Sequence, residues 1–391
     1  MEIDLGRVVI GLEFTKENAE KVKIFNIDDI KEFFNKKYIP VLIKYLNSDD
    51  GLLAQFFYGN GNDEIKDFIE QSQKSGKSVE EILNGIAIKL GLEPFVEEGI
   101  SNQCIIYNSK SLYEAIRSSK MYYMLIDNID LDTDNIDVDI YKMIDCNKNK
   151  IILRKGLTLN LNKGLEIQNA LFSSFSSEDH IIFTIKSNVE NQSQQPKISF
   201  KDTNFQNIIL MCENINLHIE NCVLENTQIS TNNSSIMISG SDVSNFNPTT
   251  DSSALLSDLS ADSSALLSEL LDLPALSFFN SKCDIDSVKV FGNYYIGINC
   301  FSSTLSITNS DIFKNGNNKG DYPQLWLENS QVNIQNTQVH DGVKNEGIYI
   351  DDNSKCKMEH VKTYGNEKIG LVTFTSLVEY NNCSFEDGRL G

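Results

Sequence analysis

Apolar and polar positions alternate in short bursts along most of this chain. The segment "VNIQNTQV" (332–339) alternates from Val332 to Gln335, breaks at Asn336, and returns to an apolar residue at Val339. The same phrase, apolar-x-apolar-x-N-x-x-apolar, begins at Leu165, Ile198, Leu217, Ile236, Cys283, Leu305, Val332, Cys356 and Val378. Successive starts lie 33, 19, 19, 47, 22, 27, 24 and 22 residues apart. The alternating part reads as a half-buried strand. The fifth position holds Asn169, Asp202, Asn221, Gly240, Ser287, Asn309, Asn336, His360 and Asn382. Asn and small polar residues tolerate the left-handed backbone of a tight bend, after which the chain turns inward again. Strands recurring at this period predict a solenoid with parallel stacking. The fifth-position side chains are then expected to form a hydrogen-bonded column, with Asn169, Asp202, Asn221, Asn309, Asn336, His360 and Asn382 as its polar members. A leucine-rich repeat has a similar period, but it wants fixed leucines and helical return segments, and neither is present.

From roughly residue 104 to 391, the column and the period resemble the right-handed parallel β-helix superfold of pectate-lyase-like proteins. The resemblance implies a mainly β solenoid, here of about nine coils over 101–391, closed at its N-terminal end by an amphipathic helix. "SLYEAIRSS" (111–119) supplies that helix, with Ser111 and Glu114 as a capping box and Leu112, Ala115 and Ile116 on its apolar side. "YYMLI" and "KIIL" read as early strands. The C-terminal "EDGRLG" offers no comparable cap, so the expectation is either that a further domain follows or that this end pairs with something, a second copy included. Residues 1–100 have another period. "MEIDLGRVVIGLEF" reads as a hairpin turning near Gly6-Arg7. Helices follow from Asn26, with Pro40 as a kink, from Asn62, and from Ser78 with Glu81 as its capping partner, ending at Gly91. "YGNGN" (58–62) lacks a phosphate-loop lysine and reads as a plain turn.

The gap of 47 residues contains a different pattern. "DSSALLS" occurs at 251–257 and again at 262–268, within a helical insert spanning 249–276. Eleven residues are close to three α-turns, so both copies present one face. Leu255, Leu259, Leu266, Leu270 and Leu273 form a stripe flanked by acidic residues. The helix is expected to pack along its own solenoid, or else to dock in the groove of a protein partner.

Charge narrows the partners. Fifty-five acidic against 34 basic residues give a net charge of −21, and no Lys or Arg lies between Lys201 and Lys282. Nucleic acid and anionic membrane are therefore poor partners. The N-terminus does not read as a signal peptide, and no apolar run is long enough for a membrane helix. The eight cysteines show no CxxC pair. Cys222 and Cys383 stand where the phrase has Thr337, which suits reduced, core-filling thiols and a cytoplasmic location.

Chemistry is harder to find. The superfold's lyases use a basic residue, commonly Arg, beside a uronate and hold Ca²⁺ with carboxylates. Here the only Arg after Lys163 is Arg389. Its hydrolases use paired carboxylates. The best match is His340, Asp341, Asp351 and Asp352 in "VHDG" and "YIDDN", if coil stacking brings Asp341 near Asp351. The G-H-G and R-x-K patterns of polygalacturonase-like enzymes are missing, and turn carboxylates are the simpler reading. No cofactor or metal site is expected. The sequence thus points to a non-catalytic interaction protein built on a rigid solenoid, with the helical domain and the leucine insert as contact regions. The alternatives are a carbohydrate-active or carbohydrate-binding protein, or an end-to-end self-assembling one.

Overall fold

The computed structural model describes residues 9–15, 21–35, 38–48, 50–75, 77, 79–94, 104–119, 121–176, 179–247, 274–316, 322–343 and 346–386. It divides into two compact units, Met1–Tyr107 and Asn108–Gly391. The division falls a little beyond the expected boundary at Ser101.

The first unit is mostly helical, with helices Ile27–Ile30, Ile39–Leu46, Leu52–Gly59, Asp63–Lys74 and Val79–Lys89. Phe14, Phe33, Leu42, Phe56, Phe57 and Leu83 are among its fully buried side chains. Asn26 and Asn62 are N-caps as expected. Pro40 is not a kink but lies in the first turn of its own helix, where a missing N–H costs nothing. The hairpin also differs. Leu12–Thr15 pairs antiparallel with Lys21–Ile24, so its partner follows it in the chain. Gly6, Arg7 and Ser78 lie outside the described residues.

The second unit is a mainly β, right-handed parallel solenoid of three sheets. The first sheet runs from Tyr122–Leu125 to Leu377–Asn381, the second from Ile129–Leu131 to Ser384–Phe385, and the third from Asn135–Val138 to Leu371–Thr373. The third sheet has 10 strands, so the solenoid makes about ten turns, not nine. The earliest turns lack the phrase and escape a count based on it. Every phrase start falls in one register: Leu165 pairs with Ile198, Ile198 with Leu217, and so on to Cys356 with Val378. Helix Ser109–Arg117 buries Leu112, Ala115 and Ile116. Its capping box is Asn108 with Ser111, not Ser111 with Glu114, because the helix starts earlier than expected. Lys142, buried where later coils have an apolar residue, donates through Nζ to the Ser118 carbonyl at the end of this helix, 2.5 Å away.

Each coil turns three corners, and from Asn204 onward each corner is held by a residue with positive φ. At the first corner all fifth-position residues of the phrase, Asn169 to Asn382, have φ between 48° and 56°. The second corner has Asn207, Asn226, Asn245, Gly292, Lys314, Asp341 and Gly365, and the third has Asn214, Asn233, Asn280, Ser302, Asn329, Asp352 and Thr375. Such backbone costs most L-residues about 1 kcal/mol or more, and Asn less, which explains the asparagines.

The expected amide column is only partly present. Asn336 donates to Asn309 and Asn382 meets His360, both at 3.3 Å, but Asn169 donates to Asp145 and Asn309 to Asp286. What runs unbroken at the first corner is backbone. The N–H of each corner residue donates to the carbonyl just before the next coil's corner, as Asn221 does to Ser239 and Asn336 to Glu359, both at 3.0 Å.

The side-chain ladders lie inside. At the third corner Ser234, Ser281, Ser303, Ser330 and Ser354 are stacked and buried. Each hydroxyl accepts an N–H from the coil before, as Ser281 N does with Ser303 Oγ and Ser303 N with Ser330 Oγ. The first four also donate to the carbonyl two residues back. At the second corner Asn293 and Asn315 are joined by Asn293 Nδ2 donating to Asn315 Oδ1 at 2.8 Å. Asn366 continues the row, and Gln324 bridges the coil where Gly342 supplies no side chain, donating to Asn366 Oδ1 at 2.6 Å. All four are buried. Paired in this way, these groups avoid the cost of isolated buried polar atoms.

Candidate functional site

The four residues singled out for carboxylate chemistry do not form one site. His340 ends the second-sheet strand Gln338–His340. Its Nε2 lies 2.9 Å from Asp311 Oδ1 and its Nδ1 3.1 Å from Asp341 Oδ2. The ring is also stacked between Phe313 and Tyr364, at 5.2 and 4.5 Å between centroids, in a column that begins at Phe291. Asp341 is the second-corner turn residue, with φ 54°. A Cβ on the following Gly342 would meet Asn366 Oδ1 at 2.7 Å, so "HDG" is explained by the buried ladder.

Asp351 and Asp352 are elsewhere. They belong to the same coil as Asp341 but stand at the opposite end of the third-sheet strand Ile348–Asp351, with Asp352 in the third corner. Coil stacking therefore does not bring Asp341 to Asp351. It brings Asp351 beside Glu328, its register partner on strand Leu325–Glu328. Burial raises the Glu328 carboxyl above its usual range, helped by the charges of Asp352 and then Asp351.

Glu328 was not among the residues chosen from the sequence, and neither were the rings around it. Trp326 and Tyr349 are register partners with centroids 5.7 Å apart, and Tyr349 meets Phe374 at 5.7 Å. Phe279 and Phe301 lie 6.0 Å apart on preceding coils, in the row that continues to Glu328 and Asp351. A signal for this face existed: "LWLEN" and "IYIDD" repeat an aromatic residue two positions before a carboxylate. On alternating strands that spacing puts both on one side. The arrangement sets two or three carboxylates and several rings on one outward face. Strand spacing is close to the roughly 5 to 9.5 Å that separates the paired carboxyls of glycosidases.

The other expectations resolve simply. His360 is a first-corner turn residue with φ 52°. His180 is buried with Nε2 facing the Asn226 carbonyl, and His218 is on a first-sheet strand. In "YGNGN", Asn60 ends one helix, Gly61 has φ 76°, and Asn62 caps the next. The stripe Leu255, Leu259, Leu266, Leu270 and Leu273 lies outside the described residues. Among those described, no cluster of His, Cys, Asp and Glu is placed to hold a metal ion. Among the described side chains, six cysteines, including Cys222, are buried free thiols, and Cys383 is half-buried. Burial pushes Cys146 and Cys356 up to about 12. A shallow depression of about 430 Å³ lies on the first sheet, lined by Ser306, Asn333, Lys355, Lys357 and Glu379 among others, with no carboxylate pair.

No family model and no curated protein matches the sequence. Among solved structures, a pectate lyase is 14% identical, with a TM-score of 0.33, over 60% of this chain and 69% of that one. A periplasmic alginate epimerase is 12% identical, with a TM-score of 0.38, over 72% and 83%. A tailspike protein of bacteriophage CBA120 is 11% identical, with a TM-score of 0.35, over 76% and 65%. These are likenesses of architecture, which the strand register above establishes for this chain.

Proposed function

We propose that this protein is a non-catalytic interaction platform working in the cytoplasm. Its solenoid is a rigid support, and its outward faces, with the helical first unit, contact partner proteins. The observation that carries this reading is the separation of the expected catalytic set. His340 is committed to two carboxylates and a ring stack, while Asp341 and Asp351 stand at different corners of their coil. The buried free thiols favour a reducing compartment. A second reading, a carbohydrate-active or carbohydrate-binding protein, has the Glu328–Asp351 neighbours and the adjoining rings in its favour.

One experiment separates the platform from the carbohydrate-active reading. The full chain and an Asp351→Ala variant are incubated with neutral and uronate polysaccharides, and products are followed by chromatography. The platform reading expects no product from either. Turnover by the wild type, abolished in a folded Asp351→Ala variant, contradicts it.

A further inference from the structure

Resting on the platform reading, we propose that the outward face of the third sheet around Trp326 binds a basic, arginine- or lysine-bearing segment of a partner polypeptide. Two outward rows run along this sheet. One passes through Thr158, Thr184, Met211, the buried Ser230 and Ser277, and Asn299 before reaching Trp326 and Tyr349. The other passes through Asn160, Lys186, Glu213 and Asn232, then becomes Phe279, Phe301, Glu328 and Asp351. The early coils are thus mostly polar and the late coils aromatic and acidic, on one backbone geometry.

Charge selects the occupant. Some carboxylates elsewhere on the solenoid have a basic partner: Asp130 has Arg154, Asp132 and Asp134 have Lys155, Glu220 has Lys201, and Glu346 has Lys368. Glu328, Asp351 and Asp352 have no basic partner among the described residues. Asp351 accepts only from the Asp352 N–H and the Thr375 hydroxyl, and Asp352 only from Asn353. Burial, and then the charges of Asp352 and Asp351, raise the Glu328 carboxyl. A guanidinium or ammonium group answers both features, lying over an aromatic ring while pairing with carboxylates. A sugar would want donors and acceptors side by side, yet the Trp326 indole N–H is buried and unpaired. An anionic partner is repelled.

Trp326 is the only tryptophan, so its emission reports on this face alone. The full chain is titrated with a short peptide alternating arginine and glycine, with the glutamate–glycine peptide of equal length, and with neutral and uronate oligosaccharides. The arginine peptide should shift the emission saturably and more weakly as salt rises. The triple variant Glu328→Gln, Asp351→Asn, Asp352→Asn should bind it about tenfold or more weakly, a loss near 1.4 kcal/mol, while unfolding at the wild-type temperature. The proposal is overturned by no response, by equal binding of the glutamate peptide, by unchanged affinity in the triple variant, or by a response to oligosaccharides in place of the peptide. The first three leave the platform reading standing, whereas a response to oligosaccharides favours the carbohydrate-binding reading.

Discussion

Within the same coils, the first and third sheets carry opposite outward faces. Along Thr304–Thr308, Gln331–Gln335 and Lys355–Glu359 the outward residues are hydroxyls, amides, two lysines and a glutamate. Along Leu325–Glu328 and Ile348–Asp351 they are Trp326, Tyr349, Glu328 and Asp351. The inward rows are alike, since Leu305, Ile307, Val332 and Ile334 are as buried as Leu325, Leu327, Ile348 and Ile350. Parallel strands in register need the inward rows and the corners, and leave the outward rows free. A face that departs from its neighbour on identical backbone is where selection for something other than folding is visible.

The comparison breaks first on the inside. Asn315→Ala removes the acceptor of the Asn293 N–H and side chain and the amide that donates to the Val290 carbonyl, while Gln324 Oε1 keeps the backbone N–H of residue 315. Several buried polar groups are orphaned at once, so urea denaturation should show a loss of about 3 kcal/mol. A change within 0.5 kcal/mol, as is usual on surfaces, would show that the ladder does not hold the coils. A corner residue is worth less. Asn336→Ala should cost about 1 kcal/mol, because Ala resists positive φ, whereas Asn336→Gly should be near neutral. If both variants lose the same amount, the side-chain hydrogen bond to Asn309, and not the backbone, is what Asn336 provides.

This ordering also explains what could be read from the sequence. The first corner was legible because its spacing from the alternating strand never changes, so all nine phrase starts fell in register. The second corner was hidden by connections of changing length, from the short step between Glu225 and Gln228 to the one between Ser244 and Leu276. The third was masked by its own chemistry. Ser234, Ser281, Ser303 and Ser330 look like surface residues in an alternating pattern, yet they are buried acceptors and donors. The expected nearness of Asp341 to Asp351 failed for a related reason. Neighbours in a solenoid are one coil apart, so Asp351 belongs with Glu328 and not with Asp341, ten residues away in sequence but one side of the coil away in space. Adjacent-coil register, not proximity along the chain, was the quantity to count.

The most direct test of the division between fold and face exchanges one outward face for the character of the other. A single variant carries Trp326→Thr, Glu328→Asn, Tyr349→Thr and Asp351→Asn, and its urea unfolding is followed by circular dichroism. The predicted result is one cooperative transition, with a smaller stability loss than Asn315→Ala alone, together with loss of the arginine-peptide interaction. A chain that no longer folds, or that loses more than the buried-ladder variant, would show that these residues serve the architecture and that the two faces differ for reasons of folding.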